Sequence, residues 1–250
     1  MLRLILALTL IIGAALTAIS QPTAGSAQSG TPRPASGPVF VELFTSQGCS
    51  SCPPADRLAE KLAREKGLIL ISRPVDYWDR LGWKDTLASP ANTALQRAYA
   101  RRGLAGYNGV YTPQTVIAGA FGEVGSDEGV LRSQIRAEKR LGNAAALSVQ
   151  RVDGRGFAVG LAGKADRPAQ LWLLSVSSEE NIAIARGENR GRTVRYTNAL
   201  IREERLMTWN GGKQGVAIAA LRLAVPGADR YAVVLREPDG GQVLAARWLR

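Results

Sequence analysis

Both cysteines of the chain lie in one heptapeptide, Gly48-Cys49-Ser50-Ser51-Cys52-Pro53-Pro54, with two serines between them. An apolar run, Pro38 to Phe44, leads into it, and an amphipathic run, Ala55 to Lys66, follows it. That order predicts a Cys-X-X-Cys pair at the end of a strand and the start of a helix, the placement that thiol–disulfide chemistry uses. The strand is apolar at nearly every position, as in a parallel sheet covered on both faces, and Glu42 is its one acid. An acid in such a strand is either near an edge or buried with a purpose. Pro53 and Pro54 suit a first helical turn, where a missing N–H costs little. Leu58 and Leu62, with Ala55, Ala59 and Ala63, mark the helix's inner face; Asp56, Glu60, Lys61 and Arg64 mark the outer one; Gly67 is the expected stop. The free N–H groups at the start of this helix then face Cys49 and stabilise its thiolate. Cys49 is therefore expected to be the more acidic, more exposed sulfur, and Cys52, one turn in, the buried resolving thiol.

The rest of the composition removes other chemistries. The chain has no histidine, which excludes His-based metal sites, Ser-His-Asp triads and Cys-His nucleophile pairs. Two cysteines cannot supply a four-thiolate zinc site, so neither a metal nor a cofactor is expected beyond a redox-active disulfide Cys49–Cys52. The formal net charge is +11, but the basic residues are scattered among acids without a stripe of interleaved aromatics. No nucleic-acid partner is expected from charge without a motif.

Met1-Leu2-Arg3 is followed by the uncharged run Leu4–Ile19 and then by small polar residues, the shape of a secretory signal over residues 1–20. An uncleaved anchor is the alternative, since the run falls only slightly short of the roughly 20 residues that span a bilayer. Residues 21–37, rich in Pro, Thr, Ala, Gly and Ser, read as a disordered leader. Either reading puts the folded part in the periplasm or outside the cell, where a cysteine pair stays oxidised. With the signal cleaved, no stable membrane span is expected.

Beyond the cysteines, Leu68–Ile71 reads as a second buried strand, and Val75–Asp85 as an aromatic, acidic loop or short helical insertion. Ser89-Pro90 opens a helix running to Arg102. Tyr111-Thr112-Pro113-Gln114 leads a strand through Ile117, with Pro113 tolerable at the first residue and capable of a cis bond. Gly119–Gly125 forms a hairpin, and Ser126 caps a helix over Asp127 to about Arg140.

This order resembles a thioredoxin-like domain, whose Thr-Pro loop of cis-proline type lies against the Cys-X-X-Cys. More closely, the motifs Val41–Asp56, Val75–Asp79, Gly82-Trp83-Lys84 and Tyr111–Gln114 resemble a family of secreted thioredoxin-like proteins, the domain of unknown function 1223. The resemblance covers about residues 38–145 and implies a thioredoxin-like fold, a secreted location and a cysteine pair, without a settled activity. One departure is Arg73-Pro74, where a histidine is expected in that family just before Val-Asp-Tyr.

From residue 146 the character changes. Seven short β-like runs, 145–152, 156–161, 169–176, 192–196, 215–219, 230–235 and 241–248, alternate with Gly, Asp and Pro turns. Such spacing predicts an all-β, sandwich-like domain over 146–250 beside the α/β domain over 38–145. Gly187–Gly191 reads as a polar turn, since it lacks the lysine and spacing of a phosphate loop.

Three uses of the cysteine pair stay open. It is a catalytic dithiol exchanging through a Cys49 mixed disulfide, a structural bridge that closes almost no loop, or a site that binds a partner, a cofactor or a thiolate-loving metal. Glu42 is a candidate to move protons for Cys52, or else accepts hydrogen bonds from loop backbone at Ser46 or Gln47. Pro113, if cis, frees backbone groups of Thr112 to pair with a substrate strand beside Cys49. Tyr77, Trp78 and Trp83 are candidate substrate-binding walls, or else members of a packed insertion. The leading reading is a periplasmic or secreted thiol–disulfide oxidoreductase whose partners are protein or small-molecule thiols and disulfides. The alternative is a non-catalytic secreted binding protein on the same scaffold.

Overall fold

The computed structural model describes residues 37–104 and 109–250. The expected signal, residues 1–20, and all but the last residue of the expected leader lie outside them. The first part runs β1 (Val39–Thr45), α1 (Pro53–Ala63), β2 (Leu68–Pro74), α2 (Pro90–Arg101), β3 (Gln114–Ile117), β4 (Phe121–Val124) and α3 (Glu128–Leu141). The rest is β5 (Ala145–Val152), β6 (Gly156–Gly163), β7 (Ala169–Ala183), β8 (Thr193–Trp209), β9 (Gln214–Ala219), β10 (Arg230–Arg236) and β11 (Val243–Trp248). Each of the seven runs expected after residue 144 is a strand. The helix expected to be capped by Ser126 is capped instead by Asp127, whose carboxylate accepts from the Val130 amide at 3.0 Å.

The fold is mixed α/β, with eight strands in one sheet ordered β11-β10-β7-β8-β2-β1-β3-β4. β1 pairs with β2 in parallel and with β3 antiparallel, and every residue of β1 and β2 is buried. Alternation along β1 sends Val39, Val41 and Leu43 into a core with Leu58 and Leu62 of α1 and Leu131 and Ile135 of α3. Phe44, on the opposite face, packs with Tyr99 of α2. Helices on both faces explain why β1 and β2 read as continuous apolar runs rather than as alternating ones.

Rather than building a sheet system of their own, β7, β8, β10 and β11 extend the sheet that holds β1 to β4. The expected boundary at residue 145 therefore cuts across one sheet. Main-chain pairing at the join is short, a single parallel pair, Ser72 with Ala199. Side chains complete it: Ser72 Oγ donates to the Thr197 carbonyl at 2.8 Å, and Asn198 Nδ2 donates to the Leu70 carbonyl at 2.9 Å. The remaining three strands form a second sheet, β5-β6-β9. It packs through Leu147, Val159, Leu161 and Ile218 on Leu171, Leu173, Val233 and Leu235 of the main sheet. The expected sandwich is thus a small sheet lying over the extension of a large one.

Four charged side chains, three of them buried and Glu203 12% exposed, meet where the two parts of the main sheet join. Arg73 Nε donates to Glu42 at 2.6 Å and its Nη1 to Glu203 at 2.8 Å; Arg236 reaches the same two acids at 3.2 and 2.7 Å. Arg73 also donates to Asn92 Oδ1 at 3.2 Å, and the Tyr99 hydroxyl donates to Glu42. Burial alone would raise the Glu203 carboxyl, but the two guanidinium groups outweigh it and hold it down at about 2. β1, β2, α2, β8 and β10 are tied by this network, of which Arg73 and Arg236 are the two cations.

Candidate functional site

Cys49 and Cys52 are joined by a disulfide, with Cα atoms 5.4 Å apart. Cys52 is the residue immediately before α1, whose first two residues are Pro53 and Pro54. Its amide donates back to the Cys49 carbonyl at 3.2 Å, and its own carbonyl accepts the amides of Ala55 and Asp56 at 2.9 and 3.1 Å. Cys49 thus lies ahead of the amino end of α1, where the helix's partial positive charge stabilises a thiolate. Two expectations need correction. Cys52 caps the helix rather than sitting one turn inside it, and both cysteines are 0% exposed, so Cys49 is not the more exposed of the two. Exposure in this turn belongs to Ser50 and Ser51. The Ser51 hydroxyl is 3.3 Å from Cys49 Sγ.

The proline loop and one expected wall, Trp78, reach the cysteine turn. The Thr112–Pro113 peptide is cis, and the Thr112 carbonyl accepts from the Ser51 hydroxyl at 3.4 Å. Trp78 Nε1 donates to Thr112 Oγ1 at 2.8 Å, so the insertion after β2 is fastened to the proline loop. Trp78 also lies close over Gly48, where a Cβ would come within 3.1 Å of Trp78 Cβ. Tyr77 packs with Trp78 beside Phe44, Val75, Tyr99 and Val116, and burial raises its hydroxyl's pKa. Trp83 donates through Nε1 to Gln47 Oε1 at 2.8 Å and packs in the separate cluster of Ile184, Val194, Tyr196 and Ala199. Thr112 and Trp78 therefore contact the cysteine turn, Trp83 reaches it through Gln47, and Tyr77 packs in the cluster behind Trp78.

The buried carboxylate on the α1 side of the sheet is Asp56, four residues after Cys52, and not Glu42. Glu42 alternates onto the α2 face of β1, opposite α1, and its partners are Arg73, Arg236 and Tyr99 rather than Ser46 or Gln47. Asp56, expected on the outer face of α1, is instead 3% exposed. Thr45, at the end of β1 on the α1 side, donates its hydroxyl to Asp56 Oδ1 at 2.8 Å, while Oδ2 is buried with no hydrogen-bond partner among the described residues. Burial pushes the Asp56 carboxyl up to about 8; the Thr45 hydrogen bond opposes that rise and the nearby Asp85 carboxylate adds to it. Asp56 is on the first turn after Cys52 and is protonated over most of the neutral range. Its four-residue spacing from Cys52 was visible in the sequence; its burial was not, because Glu60, Lys61 and Arg64 made that face read as solvated.

Gln47 and the β7–β8 loop were also missed. Asp85 accepts from the Gln47 amide at 2.8 Å, and Gln47 Nε2 donates to Thr86 Oγ1 at 3.0 Å. Asn189 Nδ2 donates to the carbonyls of Gln47 and Cys49 at 2.9 and 2.8 Å, and Glu188 accepts from the Ser50 amide at 3.1 Å. The turn Gly187–Gly191, read as a polar connection, thus sits on the cysteine turn.

A cleft of about 560 Å³ opens at the other end of β1 and β2, lined by Pro38, Lys66, Leu68, Arg230, Arg247, Trp248 and Arg250. No cysteine lines it, so cavity size does not locate the sulfur chemistry. Among the described residues no group of three or more His, Cys, Asp or Glu is placed to hold a metal ion, and no helix is long and apolar enough to cross a membrane.

Against known proteins, residues 40–236 match the family model described as protein of unknown function DUF1223. The crystal structure of protein AGR_C_4864 from Agrobacterium tumefaciens superposes with a TM-score of 0.73 at 29% identity, over 86% of this chain and 95% of that one. HBP35 of Porphyromonas gingivalis superposes with a TM-score of 0.58 at 12% identity, over 85% of this chain and 74% of that one, a likeness of fold alone. A segment of 38 residues is 42% identical to a probable thioredoxin of Archaeoglobus fulgidus, covering 15% of this chain and 42% of that protein.

Proposed function

The chain belongs to the DUF1223 family, and we propose that within it this protein is an exported thiol–disulfide exchange protein with a thioredoxin-like redox domain. The observation that carries the reading is the Cys49–Cys52 disulfide at the amino end of α1, facing the cis Thr112–Pro113 peptide, with the protonated Asp56 one turn into the helix. The parallel pair β1–β2, the antiparallel β3–β4 and the helices on both faces support the thioredoxin-like assignment, as does the short thioredoxin match. The uncharged run Leu4–Ile19 supports export to the periplasm or beyond.

In the exchange, a substrate thiolate attacks Cys49 Sγ, a sulfur–sulfur bond forms between them, and the Cys49–Cys52 bond breaks with its electron pair on Cys52. Asp56 gives the departing Cys52 thiolate its proton and is left as a carboxylate. The substrate's second thiolate then attacks its own sulfur in the mixed disulfide and releases Cys49 as a thiolate, which the helix terminus stabilises. The substrate leaves as a disulfide, the pair as a Cys49 thiolate and a Cys52 thiol, and the two protons that the substrate thiols gave to solvent return to Asp56 and Cys49. Run backwards, the same steps reduce a substrate disulfide. Thr112 meets the cysteine turn through the Ser51 hydroxyl, which also lies 3.3 Å from Cys49 Sγ, so an extended substrate segment would lie along that loop.

Trapping tests this. A Cys52→Ser variant cannot resolve the mixed disulfide, so its Cys49 thiolate should attack disulfide-bearing partners in a periplasmic extract and accumulate Cys49-linked adducts. Cys49→Ser should form none and should lose all exchange with a model disulfide. The burial of both cysteines favours a second reading, a binding protein on the same scaffold that never turns over. An empty trap, with wild type no faster than Cys49→Ser, would select it.

A further inference from the structure

The loop between β7 and β8 comes from the part of the chain without cysteines, yet it is built against the turn that carries Cys49. It closes on itself: the Ile184 amide donates to the Arg192 carbonyl at 2.9 Å, the Gly191 amide to the Ile184 carbonyl at 2.8 Å, and the Arg190 amide to the Gly187 carbonyl at 3.2 Å. At its tip Asn189 is 1% exposed. Its Nδ2 holds the Gln47 and Cys49 carbonyls, and its Oδ1 accepts from Arg192 Nη1 at 3.1 Å, so each end of the amide is committed. A flip of the amide would set Oδ1 against two carbonyl oxygens, and the orientation is therefore fixed.

That brace fixes where its neighbour stands. Glu188, on the exposed side of the loop, holds the amide of Ser50, the first N–H after Cys49. In the disulfide Cys49 carries no charge and the carboxylate meets no opposition. When Cys49 is a thiolate, the carboxylate repels it and also competes for a donor that a thiolate at this helix start would use. The pull of α1 toward thiolate is thereby opposed by a charge delivered from another part of the sheet.

The geometry points to Glu188 and Asn189 as positioning residues for the redox pair. Asn189 braces the Cys49 turn, and Glu188, carried by that brace, destabilises the Cys49 thiolate and biases the pair toward the disulfide. The proposal rests on Cys49 being the exchanging sulfur, as proposed above, but the Cys49 ionisation it concerns is measurable without any partner.

The test uses the full chain with Cys52→Ser, which leaves Cys49 as its one thiol, and follows iodoacetamide alkylation against pH. Adding Glu188→Gln should lower the midpoint and raise the reactive thiolate fraction below it by about two- to fivefold at low salt, the range for a charge interaction at an exposed site. The difference should shrink in 1 M salt, where screening acts within about 3 Å. In an Asn189→Ala background the Glu188→Gln shift should largely vanish, because the two residues act as one unit. An unchanged or raised midpoint in Glu188→Gln, a shift that ignores salt, or a full shift without Asn189 would overturn the proposal. Glu188 is exposed, so its arm and the salt series decide the matter even if Asn189→Ala fails to fold. An empty partner trap alongside the expected shifts would count against the exchange reading and not against this one.

Discussion

Asp56, proposed as the acid for Cys52, also bears on the stability of the fold. Its carboxyl rises from 3.8 to about 8 on folding because it is buried with one oxygen unpartnered. The native state thus keeps a proton that the unfolded chain releases, so the stability tied to this proton is complete below about pH 4 and is lost as pH rises to about 8. Wild-type protein should accordingly be less stable to urea at pH 8.5 than at pH 5, by a few kcal/mol, whereas Asp56→Asn should lose this slope. The same variant should slow exchange at pH 7 by about 10²-fold, the lower end of what a positioned general acid supplies. Its alkylation of Cys49 should change far less, since the acid serves the other sulfur. A pH-independent stability in wild type, or an unaltered exchange rate in Asp56→Asn, would remove Asp56 from the account.

Among the elements, β1, α1, β2, α2, β3 and α3 were all legible, because two-sided burial makes a strand continuously apolar and one-sided burial gives a helix its stripe. What periodicity cannot carry is which strand lies beside which. Ser72 and Ala199 are 127 positions apart in the chain, and nothing in their local sequence announces that β8 will pair with β2. The last part of β7 and most of β8, from Thr197 onward, were missed: Glu179 to Ala183 and Arg202 to Arg205 are partly exposed and rich in charge, so they resemble loop. Glu42 was singled out correctly as an anomaly but given the wrong task, because the cations that satisfy it, Arg73 and Arg236, arrive from two other strands. β8 owes its anchorage to the same network through Glu203. With that carboxyl held at about 2, its contribution is present above about pH 4.5 and disappears as pH falls toward 2. Acid unfolding monitored by tryptophan fluorescence should therefore show a transition in that window. Glu203→Gln should abolish this pH dependence and destabilise the protein at neutral pH by about 3 kcal/mol, because Arg73 and Arg236 are left short of an anion.

At the scale of the molecule, the cysteine turn is assembled from parts that lie far apart in the chain: the α1 start, the Thr112–Pro113 loop, the insertion around Trp78 and the β7–β8 loop. A fragment ending at residue 145 would keep the cysteines but expose β2 as a sheet edge and strand Glu42 and Arg73 without Glu203 and Arg236. Such a fragment of residues 37–145 should lack the near-ultraviolet circular dichroism of the full chain and should aggregate; a soluble fragment with native-like signal would show that the later strands are dispensable. The central claim is that the Cys49–Cys52 disulfide opens and closes within the native fold. Equilibration of the full protein with mixtures of reduced and oxidised glutathione, followed by acid quench, alkylation and mass analysis, tests it directly. A reversible transition between disulfide and dithiol is expected, identical from either direction, with the tryptophan spectrum of the native state kept throughout. A disulfide that stays closed under native conditions and yields only when the chain unfolds would contradict it.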